Sequence, residues 1–139
     1  MTEHDANEFC ATPLYKRISL LVSLFFSETC GTRGFVPNRI YTNAMGFGDH
    51  AHMHRDSSGE ANDANVTALL YPNPNWDSSY AGETVMFTED SDATEVIQPR
   101  PGRLLLFRAS VQHVGRPPSR LFWGQRFTLA IKFVAGPKA

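Results

Sequence analysis

The sequence predicts a mainly β protein, an antiparallel sandwich or barrel preceded by one helix. Seven short apolar segments rich in strand-forming residues follow one another at intervals of about 8–15 residues, separated by Gly, Pro, Asn and Asp. An earlier and longer segment carries apolar residues at helical spacing. The chain of 139 residues has the length of one domain. We therefore expect a single domain over residues 1–139, with a helical lead-in at 1–37 and a β core at 38–134.

The N-terminal helix is predicted to begin at Thr12 and Pro13, a capping residue followed by a residue suited to the first turn. Gly31 and Gly34 end it. Its apolar stripe is Leu14, Ile18, Leu21, Val22, Phe25 and Phe26. We expect the helix to pack on the sheet and to take no part in chemistry.

The predicted strands follow the helix as short segments between turn residues. They are 39–43, 52–56, 66–71, 83–87, 94–97, 104–107 and 127–134.

Charge and cysteine content exclude several classes of protein. Thirteen Lys and Arg against 14 Asp and Glu give a net charge of −1, so neither nucleic acid nor a membrane surface is an expected partner. No apolar run approaches the roughly 20 residues that a bilayer span needs. Two cysteines and a polar, acidic N-terminus predict reduced thiols in a cytoplasmic protein.

The histidines suggest a metal site. Three of five lie at positions 50, 52 and 54, and His54 precedes Asp56 by two positions. In a strand such a pair projects from one face. A second imidazole from a distant strand would complete a 2-His-1-carboxylate triad, which holds one face of an octahedral Fe(II) and leaves three positions open. His113 is the natural candidate for this second imidazole. The His–x–Asp motif alone is weak support, because in an arbitrary chain it is more often a coincidence.

A second group of residues suggests a carboxylate site. Arg126 and Thr128 share a face of the last predicted strand, where a guanidinium can clamp a carboxylate through two parallel hydrogen bonds. The alternative is a surface arginine or one paired with a nearby acid. Tyr41 and Asn43 share a face of an earlier strand and could line the same pocket, although Tyr is common in strands for packing alone.

Taken together, the motifs resemble a known family. In chain order they are RIYTNAMGFGDHAHMHRD, AGETVMF, QPRPGRLLLF, the lone His113 and QRFTLAIKF. This order resembles the Fe(II)/2-oxoglutarate-dependent dioxygenases, most closely their prolyl 4-hydroxylase-like branch, over residues 38–134. Any one of the motifs would be weak by itself, but the ordered set is specific.

The resemblance implies a double-stranded β-helix, the jelly-roll or cupin-like fold, with the helix packed on one sheet. It implies His54, Asp56 and His113 as Fe(II) ligands. It also implies 2-oxoglutarate and O₂ as cosubstrates, with the distal carboxylate of 2-oxoglutarate on Arg126.

Further site residues follow from the same resemblance. Thr128 and Tyr41 would assist at the cosubstrate, with Asn43 lining the pocket. The spacing of 13 residues from His113 is longer than usual for the family, and it leaves Arg120, in a Pro-Pro-Ser loop, as an alternative to Arg126. The chain is short at its N-terminus for the family, so it is either a minimal member or one completed by a homodimer partner.

The expected reaction is hydroxylation, or another oxidation, of an unactivated C–H bond in a small molecule such as an amino acid or natural-product intermediate. Asp56 disfavours halogenation, since halogenating members typically have Ala or Gly there. Three alternatives stay open: a peptidyl, prolyl-type hydroxylase; a non-catalytic module that binds metal or 2-oxoglutarate; and a cupin-type metalloenzyme using His50 and His52. The loops 56–65 and 73–81 would decide between a small molecule and a peptide.

Overall fold

The computed structural model describes residues 1–57 and 64–137. Part of the loop 56–65, on which substrate choice was predicted to depend, therefore lies outside the described residues. The elements are β1 (Thr2–Glu3), α1 (Ala6–Cys10), α2 (Pro13–Cys30), β2 (Phe35–Met45), β3 (Val66–Leu70), a 3-10 turn (Ser78–Tyr80), β4 (Thr84–Phe87), β5 (Ala93–Ile97), β6 (Leu104–Arg108), β7 (Gln112–Gly115) and β8 (Arg126–Ala135).

Two antiparallel sheets form the β core. The larger has the strand order β1-β2-β8-β3-β6 and the smaller the order β5-β4-β7. An isolated antiparallel bridge joins His54 to His113 on β7, so the segment around His54 extends the smaller sheet. A buried cluster between the sheets combines Tyr41, Leu69, Phe107 and Ala130 of the larger with Met86 of the smaller. This arrangement confirms the predicted jelly roll.

Helix α2 covers the outer face of the larger sheet, as predicted. The Thr12 hydroxyl accepts the Tyr15 N–H at 3.2 Å, and the chain leaves the helix at Gly31 with a φ of +60°. Its buried side chains are Tyr15, Ile18 and Val22, which join the cluster that contains Phe133. The Tyr15 ring stacks on that phenylalanine with 6.1 Å between centroids.

The predicted apolar stripe of α2 is wrong in part. Leu14 and Phe25 are exposed, whereas Tyr15, outside the stripe, is buried. The helix carries apolar residues on more than one side, so helical spacing alone selects no single face. The contact with the sheet selects it.

Three further elements differ from the expectation. The segment 52–56 is not a regular strand, because only His54 pairs with a neighbour. Strand β7 is not among the seven predicted strands, and it forms a strand through its pairing with β4. The lead-in also holds α1 and β1, and β1 pairs with β2 at the edge of the larger sheet.

Cys10 and Cys30 are free thiols, as the sequence predicted. No helix within the described residues combines the length and the hydropathy needed to span a membrane.

Candidate active site

The fold brings His54, Asp56 and His113 together. His54 Nε2 lies 3.3 Å from Asp56 Oδ1, and His113 Nε2 lies 3.5 Å from Asp56 Oδ2. One donor atom from each of the three residues falls within 4.8 Å of the others. Neighbouring ligands of an octahedral ion are about 3 Å apart, given bonds of about 2.1 Å. The three side chains therefore fit around one metal ion with small adjustments.

Backbone hydrogen bonds set this arrangement. The His54 N–H donates to His113 O at 3.0 Å, and the His113 N–H donates to His54 O at 2.9 Å. Two residues on, the Asp56 N–H donates to Ala109 O at 2.9 Å. The segment is thus docked along the β6–β7 connection, although it is not a regular strand.

Each imidazole is oriented by a carbonyl. His54 Nδ1 lies 2.9 Å from His52 O, and His113 Nδ1 lies 2.9 Å from Val111 O. With Nδ1–H donating to the carbonyl, the lone pair of Nε2 faces the centre of the triad, which is the usual preparation of a metal-ligating histidine.

The two histidines differ in surroundings. The His54 side chain is 51% exposed, so one side of the triad is open to solvent. The hydrogen bond with Asp56 raises the pKa of His54. His113 is buried, and burial lowers its pKa.

Asp56 is held as an anion. Burial alone would raise its pKa, but the hydrogen bond with His54 and the charge of Lys132 together place that pKa well below its usual range. The Thr67 hydroxyl donates to Oδ2 at 2.7 Å, and the Lys132 ammonium forms an ion pair with the same oxygen.

Arg126 is the first residue of β8 and is 2% exposed. Its Nε donates to Gly82 O at 2.5 Å and its Nη2 to Thr84 Oγ1 at 3.1 Å. Among residues 1–57 and 64–137, the structure gives Arg126 no salt bridge. Burial lowers the pKa of its guanidinium. A buried, unpaired cation of this kind calls for an anionic partner.

A cavity of about 110 Å³ connects these groups. Its lining includes every predicted site residue except Asp56: Tyr41, Asn43, His54, His113, Arg126 and Thr128, with Thr84 and Lys132 beside them. Asp56 lines a second cavity, and Lys132 lines both. Residues that the sequence predicted for iron and for 2-oxoglutarate therefore lie around one space.

Tyr41 stays a phenol at physiological pH. Burial, with the nearby charge of Asp56, raises its pKa to about 12. Its ring lies 4.7 Å from the Arg39 guanidinium carbon and 5.7 Å from the Lys132 ammonium. The hydroxyl is therefore available as a hydrogen-bond donor at the cavity wall.

Arg120, the alternative to Arg126, does not line this cavity. It borders a surface groove with Phe47, Leu121 and Trp123. His50 and His52 are exposed, and His52 contributes its carbonyl to His54.

Sequence reasoning missed Lys132, Gly82 and Thr84. Lys132 has the strand parity of Arg126 and Thr128, and this signal could have found it. Gly82 and Thr84 belong to a motif that the sequence did show, but their contact with Arg126 depends on how β4 meets β8.

Comparison with known proteins identifies the family of the chain. Residues 40–133 match the family model described as the 2OG-Fe(II) oxygenase superfamily. The chain therefore belongs to the 2OG-Fe(II) oxygenase superfamily. No curated protein is a significant match to the chain.

Solved structures share the fold at low sequence identity. A prolyl 4-hydroxylase from Pseudomonas putida superposes with a TM-score of 0.64 and 22% identity, over 88% of this chain and 63% of that one. A Trichoplax adhaerens prolyl hydroxylase, solved with a hypoxia inducible factor peptide, gives 0.62 and 23%, over 87% and 56%. A 2OG-Fe(II) oxygenase family oxidoreductase from Burkholderia pseudomallei gives 0.62 and 20%, over 92% and 59%. The chain thus spans about three fifths of the length of these proteins.

Gly82 offers a test of how Arg126 is held. It has a φ of +79°, and a Cβ there would lie 2.8 Å from Trp76 Cζ2 and 3.1 Å from Arg126 Cδ. Gly102 has a φ of +74° but no atom within 4 Å of its Cβ position. Gly102→Ala should cost about 1–2 kcal/mol of unfolding free energy from the left-handed backbone alone.

We expect Gly82→Ala to cost about 1–3 kcal/mol more than Gly102→Ala, because overpacking adds to the same backbone strain. Urea denaturation of both variants measures the difference. Equal losses in the two variants would show that the side chains of Trp76 and Arg126 shift to admit the methyl group at no cost in stability.

Proposed function

We propose that this chain is an Fe(II)- and 2-oxoglutarate-dependent dioxygenase that hydroxylates, or otherwise oxidises, an unactivated C–H bond. One observation carries the proposal: two imidazoles and a buried guanidinium without an acidic partner in the described residues line the same cavity, beside an ionised Asp56. Fe(II) would bind at the histidines and Asp56, and 2-oxoglutarate would bind at the iron and at the guanidinium.

His54, Asp56 and His113 are the proposed iron ligands. This donor set fits Fe(II), since two imidazoles and one carboxylate form the facial triad of non-haem iron oxygenases, which leaves coordination positions open. Both histidines present Nε2, and Asp56 is already an anion. When bound, the metal and its cosubstrate supply the oxidative chemistry, and the protein supplies geometry and electrostatics.

Arg126 is the proposed partner of the distal carboxylate of 2-oxoglutarate. Its Nε and Nη2 are held by Gly82 and Thr84, which leaves the guanidinium fixed in the cavity wall. Thr128, on the same face of β8, and the Tyr41 phenol are further donors to a bound carboxylate. A dianion in this cavity would neutralise a buried guanidinium that has no salt bridge within residues 1–57 and 64–137.

A small-molecule substrate is the function that the cavities support best. A polar cavity of about 320 Å³ lies on the Asp56 side of the triad. Its wall includes three cations, Arg39, Arg55 and Lys132, each of which also forms a salt bridge with an acidic side chain of the protein. Ligand pockets for small molecules start at about 300 Å³. This space suits a compact polar molecule, and an amino acid or a natural-product intermediate bearing a carboxylate is the proposed class.

A peptidyl substrate is the second candidate. A groove of about 870 Å³ lies along Phe47, Leu121 and Trp123, and the Trp123 side chain is 98% exposed. Structures with the same fold include prolyl hydroxylases, one of them solved with a peptide. An extended chain bound through an aromatic groove is compatible with this surface.

The predicted cytoplasmic location and homodimer remain predictions. Leu20, Leu24 and Phe25 on α2 are exposed apolar side chains, and they support an association surface on that helix.

Turnover tests the proposal. With Fe(II), 2-oxoglutarate and O₂, we expect the protein to release succinate and CO₂, faster in the presence of a suitable small carboxylic acid than with prolyl peptides. His54→Ala should lower the rate at least a hundredfold by removing a ligand, whereas His52→Ala, two positions away and exposed, should keep it. Mass spectrometry of the products gives the oxidised position.

Binding of 2-oxoglutarate without turnover would favour the non-catalytic module. Stimulation by prolyl peptides alone would favour the peptidyl candidate.

Two alanine variants test the assignment of Arg126 to 2-oxoglutarate. Calorimetry under anaerobic conditions should show 2-oxoglutarate binding weakened at least about thirtyfold in Arg126→Ala, since losing one partner of a buried ion pair costs about 2 kcal/mol or more. Arg120→Ala should bind as the wild type does, because Arg120 lies on the surface groove. The opposite pattern would assign the cosubstrate to Arg120.

A further inference from the structure

Lys132 places a primary amine beside the proposed iron ligands. Its side chain is largely buried, and its ammonium forms an ion pair with Oδ2 of Asp56. The ammonium also lies 3.5 Å from Thr67 Oγ1 and 5.7 Å from the centre of the Tyr41 ring. A lysine at this point of a buried strand is stable only because it has these partners.

The two carboxylate oxygens of Asp56 lie in different surroundings. Oδ2 accepts hydrogen bonds from the Thr67 hydroxyl at 2.7 Å and from the Lys132 ammonium, and these occupy both of its lone-pair directions. Oδ1 faces His54 Nε2 at 3.3 Å. Oδ1 is therefore the oxygen that is open to a metal ion.

Oδ2 is nevertheless near the proposed iron ligand His113. It lies 3.5 Å from His113 Nε2, so a small rotation of the carboxylate would bring both oxygens to the ion. A facial triad leaves three coordination positions only when its carboxylate takes a single one. A carboxylate bound through both oxygens would leave two positions, too few for a bidentate 2-oxo acid together with O₂.

We propose that Lys132 is a positioning residue which, with Thr67, holds Oδ2 of Asp56 away from the iron, so that Asp56 binds through Oδ1 alone. This inference rests on the proposed iron site. Lys132 acts through Asp56, and its effect is on the number of open positions at the metal.

Crystal structures of the wild type and of the double variant Lys132→Met/Thr67→Val, both with Mn(II) and 2-oxoglutarate, give the direct test. In the wild type we expect Oδ1 on the metal and Oδ2 on Thr67 and Lys132. In the double variant we expect both oxygens of Asp56 on the metal. A wild-type structure in which Oδ2 is a ligand would overturn the proposal, whether or not the variant folds.

Binding of 2-oxoglutarate to the Mn(II) protein is the second readout. Lys132→Met and Thr67→Val should each weaken it by about tenfold, as loss of a group that orients a metal ligand commonly does. Lys132→Arg should retain it. Thr67→Val changes no charge, so wild-type binding in that variant would show that Lys132 acts only as a cation, against the proposal.

The same experiments separate two failures. Wild-type protein that takes up no Mn(II) at His54 and His113 would contradict the proposed iron site itself. Metal bound there through the wrong oxygen of Asp56 would contradict only the role of Lys132.

Discussion

The reciprocal backbone pairing of His54 with His113 is the contact on which the site depends. Two hydrogen bonds, 3.0 Å and 2.9 Å long, join the segment around His54 to the edge of the smaller sheet through a single bridge. The two bridged residues each contribute one imidazole, and the centroids of these two rings are 4.4 Å apart. Asp56 lies on the same segment, and its backbone N–H donates a hydrogen bond to the carbonyl oxygen of Ala109. A metal ion bound by all three would tie this segment to β7 more firmly, so metal binding and local order are expected to be coupled.

Buried charge organises the rest of the cavity. Asp56 is an anion that three neighbours stabilise, and Arg126 is a cation held by neutral acceptors. Asp56 is therefore suited to binding a cation, and Arg126 is suited to binding an anion. Burial makes both interactions stronger than they would be in water, because little solvent competes for the charged groups. Burial of the Arg126 guanidinium away from water costs free energy, and a bound dicarboxylate would offset that cost.

Strand parity explains why so much of the site could be predicted from the sequence. Arg126 and Thr128 are two positions apart on β8, and Tyr41 and Asn43 are two positions apart on the neighbouring β2. Residues at this spacing project from one face of a strand, and both pairs line the cavity. The projection of His54 and Asp56 into one space was also predicted, although their segment is not the regular strand that was expected. A single bridged residue and one further backbone hydrogen bond are enough to align the two side chains.

The remaining features depend on tertiary contacts that a local pattern does not contain. Lys132 has the right parity, but a lysine in a strand commonly extends its amine to solvent. Only the position of Asp56, 76 residues earlier, shows that this amine is buried and paired. Gly82 matters because Arg126 crosses it, and the buried face of α2 depends on the sheet beneath. These are contacts between distant segments.

The most direct test of the account is the visible spectrum of the wild-type protein with Fe(II) and 2-oxoglutarate, recorded without oxygen. Chelation of Fe(II) by a 2-oxo acid should give a weak, broad charge-transfer band. Succinate, which lacks the keto group, should give none. Folded protein that binds Fe(II) tightly and shows no band with 2-oxoglutarate would contradict the claim that His54, Asp56, His113 and Arg126 form one iron and cosubstrate site.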